Sequence, residues 1–166
     1  MNNKQRGYRM HMEQTSMTNR ITSPPHYVGE RSVEPLDVIE AWNLNYHLGN
    51  ILKYISRAGR KDCEQMDLEK ALFYLDRALR NCPSVKAESY VKKEIFTVEK
   101  VAKDWRLNTS LEIALMHLHL ATVSTPTFHI ESVQKQVNIR LKQLKIIEKK
   151  NKANENSQSL VRGIKK

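Results

Sequence analysis

The chain has 166 residues, 40% of them apolar, and a formal net charge of +10, enough for one domain with a real core or two small ones. No apolar run approaches the roughly 18 residues a membrane span needs, and the first twenty residues, a mixture rich in Arg, Asn, Gln and Met, show no apolar stretch of a secretory signal. Cys63 and Cys82 are too few for a disulfide scaffold and lack metal-ligand spacing, so reduced, structural thiols in a cytoplasmic protein are the expectation.

The charge is unevenly placed. Residues 142–166 carry +6 and residues 1–25 carry +3, which leaves +1 for residues 26–141. Basic ends can hold RNA, DNA or acidic lipid without specificity, although the ordinary reading is a solvated, disordered end.

In chain order, residues 1–23 are polar and unpatterned, and Pro24 and Pro25 in "SPPHY" enforce extended geometry. Pro35 suits the first turn of a short helix reaching about Trp42. "NLN" is a turn, followed by a helix from about Tyr46 to Ala58 that Gly59 stops. Asp67 is placed as the N-cap of a helix running to about Asn81, which Pro83 ends. A long charged helix is expected from Ser84 to Asp104, then a turn at "RLN". A helix from Thr109 to Thr122 follows, then a break at "STPT" and a last helix from Phe128 to Lys150. The tail after it reads as disordered. The fold class is therefore all-α, a bundle of about six helices. Its parts are a disordered segment (1–23), a helical domain (24–83), a helical extension (84–150) and a basic disordered tail (151–166).

A degenerate repeat runs through both halves. "VIEAWNLNYHLGNILKYISRA" from Val38 aligns with "VAKDWRLNTSLEIALMHLHLA" from Val101, so that Trp42, Leu44 and Asn45 meet Trp105, Leu107 and Asn108. Duplication implies two helical hairpins packed about a pseudo-twofold axis.

On a helix, Leu48, Ile51, Leu52 and Ile55 form one apolar arc, while Asn50, Lys53, Tyr54, Arg57, Arg60 and Lys61 fall within roughly 120° on the other side. That side holds four cations, an amide and a phenol, and no acid. Cations three and four residues apart repel one another, so an external anion is expected there, and phosphate suits Lys and Arg. The next helix points Lys70, Tyr74 and Arg77 away from a core stripe of Leu68, Ala71, Leu72, Leu75 and Leu79. Two tyrosines beside cations suit a nucleobase with its phosphates. In the second copy Lys53, Tyr54 and Arg57 become Met116, His117 and Leu120. That helix is apolar nearly all round, which together with Phe73 off the core stripe suggests a homo-oligomer. His117 and His119 read as core or interface residues rather than ligands.

Residues 24–80, with "HY", "EPLDVIEAW", "LGN", "KYISRAGRK" and "DLEKALFYLD" in order, resemble the small helical domain common in tailed-phage genomes. That domain was long without an assigned function and includes the nucleotide kinase of short-tailed coliphages. The resemblance implies phosphoryl transfer from a nucleoside triphosphate to a (deoxy)nucleoside monophosphate, in a host cytoplasm, without a P-loop. None of the five glycines makes a Walker motif. The nucleotide-binding positions it implies are His26, Tyr27, Asn50, Lys53, Tyr54, Arg57, Lys61, Lys70 and Tyr74. Among these, Lys53 and Arg57 act on the phosphates with Lys61, Tyr54 or Tyr74 serves as base, and His26 or Asn50 orients. Mg²⁺ arrives with the nucleotide, held by its phosphates and by Glu34 or Asp37, although these two acids equally suit a first helical turn. Glu30, Arg31 and Ser32 depart from the family pattern, and residues 84–150 lie outside it.

Two other function classes fit the same residues. A helical cleft of Lys, Arg and Tyr without a clear base suits a protein that binds or sequesters a nucleotide, signalling nucleotides included, without turnover. "EPLD" (34–37) and "EQMD" (64–67) imitate the metal-binding pairs of all-α nucleoside triphosphate pyrophosphohydrolases, the second of them placed in a turn. A weak nucleic-acid contact through the basic tail is a further expected partner.

Overall fold

The protein is described from a computed structural model, over residues 31–60, 63–81 and 96–164. These residues form six helices: α1 (Pro35–Ala41), α2 (Tyr46–Arg57), α3 (Glu64–Arg80), α4 (Val98–Asp104), α5 (Thr109–Leu120) and α6 (Pro126–Ile164). The all-α class expected from the pattern is the one observed, with no strand among the described residues. Hairpins α2–α3 and α5–α6 pack through α3 against α6 and α2 against α5, while the short α1 and α4 brace α2 and α5. No helix among the described residues is long and apolar enough to cross a membrane.

Local chemistry sets the boundaries. Pro35 lies in the first turn of α1, where its missing N–H leaves nothing unsatisfied. Asn45 caps α2, its Oδ1 accepting from the His47 and Leu48 amides at 3.0 Å each. Gly59, at φ +76°, takes the left-handed turn that ends α2. Leu48, Ile51, Leu52 and Ile55 enter the core with Leu68, Leu75, Leu115, Leu118, Val133 and Val137.

The repeat is borne out to the residue. Moving α1 and α2 along by 63 positions gives the bounds of α4 and α5. Asn108 caps α5 as Asn45 caps α2, and the turns carry matching positive φ at Asn43 (51°) and Arg106 (50°). The indole N–H of Trp42 donates to the Phe96 carbonyl at 2.9 Å, and that of Trp105 to the Val33 carbonyl at 2.8 Å. Val33 and Phe96 are themselves equivalent positions, so the two bonds are one contact made twice across a pseudo-twofold axis. The α5–α6 connection is one residue shorter than α2–α3, so the third helices match at an offset of 62: Leu68, Ala71, Leu75 and Leu79 face Ile130, Val133, Val137 and Leu141.

Several boundaries differ from the pattern. Asp67 is not a cap: α3 begins one turn earlier, with Cys63 as N-cap, and Asp67 is buried in its first turn. "EQMD" thus lies on the helix and not in a turn. Within the charged helix expected from Ser84 to Asp104, Phe96 and Thr97 are not helical and α4 begins at Val98. The Phe96 carbonyl is committed to Trp42, and the Thr97 hydroxyl accepts from the Lys100 amide at 3.3 Å, starting α4 there. Residues 84–95 lie outside the described residues, as do residues 1–23 and Cys82; Cys63 is exposed and unbridged. The last helix does not stop near Lys150. It runs on to Ile164, so 151–164 is helix where a disordered tail was expected. Composition was a poor guide because extending a nucleated helix is far cheaper than starting one, and Glu148–Lys152, at 2.7 Å, bridges successive turns across the expected end.

The apolar all-round α5 is partly covered from within the chain. Ser110, Leu111, Ala114, Leu115 and Leu118 are buried, with α2, α4 and α6 all packed on this helix, while Met116 stays exposed. Phe73 is exposed.

Asp104 fastens the segment before α1 to the second repeat. It accepts from the Ser32 hydroxyl at 2.7 Å and from the Ser32 and Val33 amides at 3.0 Å. Arg31, buried beside it, donates to the Ser56 carbonyl and lies over the Trp105 ring at 5.4 Å. Burial, then the charge of Arg60, lowers its pKa to about 10 against the pull of Asp104. Burial raises the Asp104 carboxyl, but the bonds from Ser32 and Val33 and the Arg31 charge together hold it below its usual value.

Two predictions follow from these contacts. Trp105→Phe keeps the apolar ring but leaves the Val33 carbonyl unpaired in the interior, at a cost of about 1–3 kcal/mol. The equivalent Trp42→Phe, whose bond to the Phe96 carbonyl is only part-buried, should cost less, and urea midpoints give the order. The depressed Asp104 contributes stability above the unfolded carboxylate pKa of about 3.9 and loses it as pH falls through its lower folded value. Asp104→Asn should therefore flatten the loss of stability between about pH 5 and pH 3 in urea melts at stepped pH.

Candidate functional site

The outward side of α2 does not face solvent alone, because α3 folds back along it. Where they meet, Asp67 is fully buried and Arg57 nearly so. The Arg57 Nε and Nη2 donate to Asp67 Oδ1 at 3.0 and 2.7 Å, and Lys70 Nζ lies 3.8 Å from the same oxygen. The expectation of an acid-free cationic face therefore needs correction at Arg57. Its guanidinium is a buried member of an ion pair with its own chain, not a phosphate ligand at the surface. The missed residue is Asp67, and the signal was present: an acid adjoining Leu68 and one turn before Ala71 lies in the core phase of α3, where it must find a cation.

Tyr54 covers this pair. Its ring lies 4.7 Å from the Arg57 guanidinium, 5.4 Å from Lys53 Nζ and 5.9 Å from Lys70 Nζ, distances at which cation–π attraction operates. It stacks on Tyr74 at 5.7 Å. Tyr74 is met edge-on by Tyr46 at 6.0 Å and Phe73 at 5.3 Å, with His47 tilted at 6.4 Å. A hydrogen bond with Tyr46, then burial and the neighbouring phenols, push the Tyr74 hydroxyl above its usual value, against the charge of Arg77. That makes it a poorer base near neutral pH.

The structure thus brings together Lys53, Tyr54, Arg57, Lys70 and Tyr74. Asn50 lies on the same face, but its amide donates to the Tyr46 carbonyl at 2.7 Å. Tyr46 and His47 join the cluster although the sequence reading passed over them; Tyr46 stands one turn before Asn50 on the same face. Arg60 turns away, donating to the Trp105 carbonyl at 3.3 Å. His26, Tyr27 and Lys61 lie outside the described residues.

The acids proposed for a metal are dispersed. Glu64 forms a two-bond pair with Arg140 at 2.6 and 2.8 Å, and Asp67 is held by Arg57. Glu34 and Asp37 stand at the start of α1, Asp37 in its first turn. Among the described residues no group of three or more metal-ligating side chains is gathered.

In the second repeat, His117 takes the place of Tyr54 and His129 that of Asp67, with their Nδ1 atoms 3.0 Å apart. Burial, then His129, lowers the His117 pKa. His119 stacks on Trp42 at 4.6 Å.

Breaking one partner of the buried pair leaves an uncompensated charge, so Arg57→Ala and Asp67→Ala should each cost about 3–5 kcal/mol. The double variant Arg57→Leu/Asp67→Leu should be less destabilised than either, since it leaves no lone buried charge and the second repeat already has Leu120 in place of Arg57; urea denaturation of the set measures it.

Comparison with known proteins agrees with the phage resemblance at the level of family. Residues 21–76, about a third of the chain, match the model of a family described as a protein of unknown function, DUF3310. The chain is similar to the Gene 1.7 protein of Enterobacteria phage T3, 42% identical over 69 residues, which are 36% of this chain and 42% of that protein. The match thus spans less than half the length of that relative. No solved structure matches the chain significantly.

Proposed function

We propose that the α2–α3 face binds a nucleotide, and that the chain is a non-P-loop nucleotide kinase passing a phosphoryl group to a (deoxy)nucleoside monophosphate. The observation that carries the binding half is the stacked Tyr54–Tyr74 pair with Lys53, Lys70 and Arg57 within 6 Å of the Tyr54 ring. Aromatic faces suit a base, and cations beside them suit the phosphates. In this reading Lys53 and Lys70 take the phosphates. Arg57, locked to Asp67, positions Tyr54 from beneath.

The transfer half rests on the resemblance and is compatible with the chemistry. A monophosphate acceptor presents an oxygen that is already ionised at neutral pH, so no strong base is required, and catalysis reduces to holding two anions close and neutralising them. Tyr54 is then a platform instead of a base, and the raised Tyr74 has no proton to remove. Mg²⁺ enters as part of the substrate, held by its phosphates. The lack of a gathered acid cluster among the described residues equally favours a second reading, in which the protein binds or sequesters the nucleotide and releases it unchanged.

Calorimetric titration against nucleoside mono-, di- and triphosphates, with product analysis of the same samples, tests both halves. Lys53→Ala and Lys70→Ala should each weaken binding about tenfold, about 1.4 kcal/mol, with circular dichroism confirming that each variant is folded. Unchanged affinity in both, or no nucleotide bound, rejects the site. Phosphate appearing on the monophosphate acceptor supports a kinase, pyrophosphate release a pyrophosphohydrolase, and neither a binding protein.

A further inference from the structure

The basic charge of the C-terminal part of the chain is organised. Helix α6 has 39 residues, but its packed stripe, Ile130, Val133, Val137 and Leu141, ends with the bundle, and Leu144 is only partly covered. From Lys145 to Ser157 every side chain is exposed. Lys135, Lys142, Lys145, Lys149 and Lys152 follow one another at spacings of seven, three, four and three. At about 100° per residue they lie within an arc of about 100°, forming a ridge roughly 26 Å long.

All five lysines are exposed, and among the described residues only Lys152 has an ion pair, with Glu148. Glu131, one turn before Lys135, is the single acid of α6 on that arc. Glu148 and Glu155 fall roughly 100° round the helix from its centre. Like charges at such spacings destabilise a helix, and the folded core contributes nothing to offset this beyond Leu144.

We propose that this ridge is a docking surface for the phosphate backbone of a nucleic-acid duplex, read without regard to base sequence. Charge complementarity identifies the partner: a straight rod of lysines faces a polymer carrying about one negative charge per 1.7 Å of axis. Nothing along the ridge is aromatic, so it offers no stacking platform for unpaired bases. A membrane surface fits less well. An interfacial helix needs a broad apolar face with Trp, Phe or Leu opposite its cations, and from Lys145 to Ser157 the sequence has only Ile146 and Ile147 as large apolar groups. The surface shares no residue with the Tyr54 face.

The test is fluorescence anisotropy of the full chain with a labelled 30-base-pair duplex over a salt series, beside sedimentation with phosphatidylserine vesicles. The comparison variant is Lys142→Gln/Lys145→Gln/Lys149→Gln, in which Gln preserves helix propensity and circular dichroism checks the fold. The wild type should bind the duplex with a log–log salt slope of about −4.5 for five contacts, reduced to about −2 in the variant, with at least tenfold weaker binding at 100 mM salt. Failure of the wild type to bind at 50 mM salt, equal binding by the folded variant, or uptake by vesicles in preference to duplex would overturn the proposal.

Discussion

One carboxylate organises the face on which this protein's chemistry is proposed to rest. Asp67 is buried where α2 meets α3, and it holds Arg57 by two bonds to a single oxygen. A charge in that position is tolerable only with a partner and good geometry, so the pair fixes both the register of the hairpin and the location of the guanidinium. Tyr54 then lies over the pair, Tyr74 stacks on Tyr54, and Lys53 and Lys70 flank the ring. Without Asp67, Arg57 would be one more repelling cation on a crowded helix. With it, the arginine becomes the floor of a platform.

The divergence of the two repeats explains why this occurs once. Both halves share turn, cap and tryptophan clamp because those residues build the axis between them, and each half needs the other's carbonyl, Phe96 or Val33, to satisfy its indole. The positions outside that shared frame have diverged. Arg57 faces Leu120 in the alignment, Lys53 faces Met116 and Tyr54 faces His117. In the second half α5 packs against α2, α4 and α6, and its His117 meets His129 where the first half has its tyrosine and ion pair.

Much of the architecture was legible because it depends on local rules. Asn45 and Asn108 read as turn residues, Pro35 as a helix start and Gly59 as a stop, and the spacing of Leu48, Ile51, Leu52 and Ile55 gave the core side of α2. Less legible was whatever depends on what lies opposite. Periodicity placed Arg57 away from the core of its own helix, but could not say that α3 would bring a carboxylate over it. Asp67 was mistaken for a cap because acids before apolar runs usually are caps. The length of α6 was hidden for a related reason: composition describes a segment by itself, whereas residues 151–164 inherit their helix from the turns before them.

The central claim is that a nucleotide base and its phosphates lie against the Tyr54–Tyr74 platform between Lys53 and Lys70. Its most direct measurement is the pattern of nuclear Overhauser contacts in a nucleotide-saturated sample with selectively labelled tyrosines. The account predicts contacts from base protons to the Tyr54 and Tyr74 rings, with the largest amide shifts near Lys53 and Lys70. A saturated complex in which the base contacts neither ring, with its shifts elsewhere in the bundle, would contradict it.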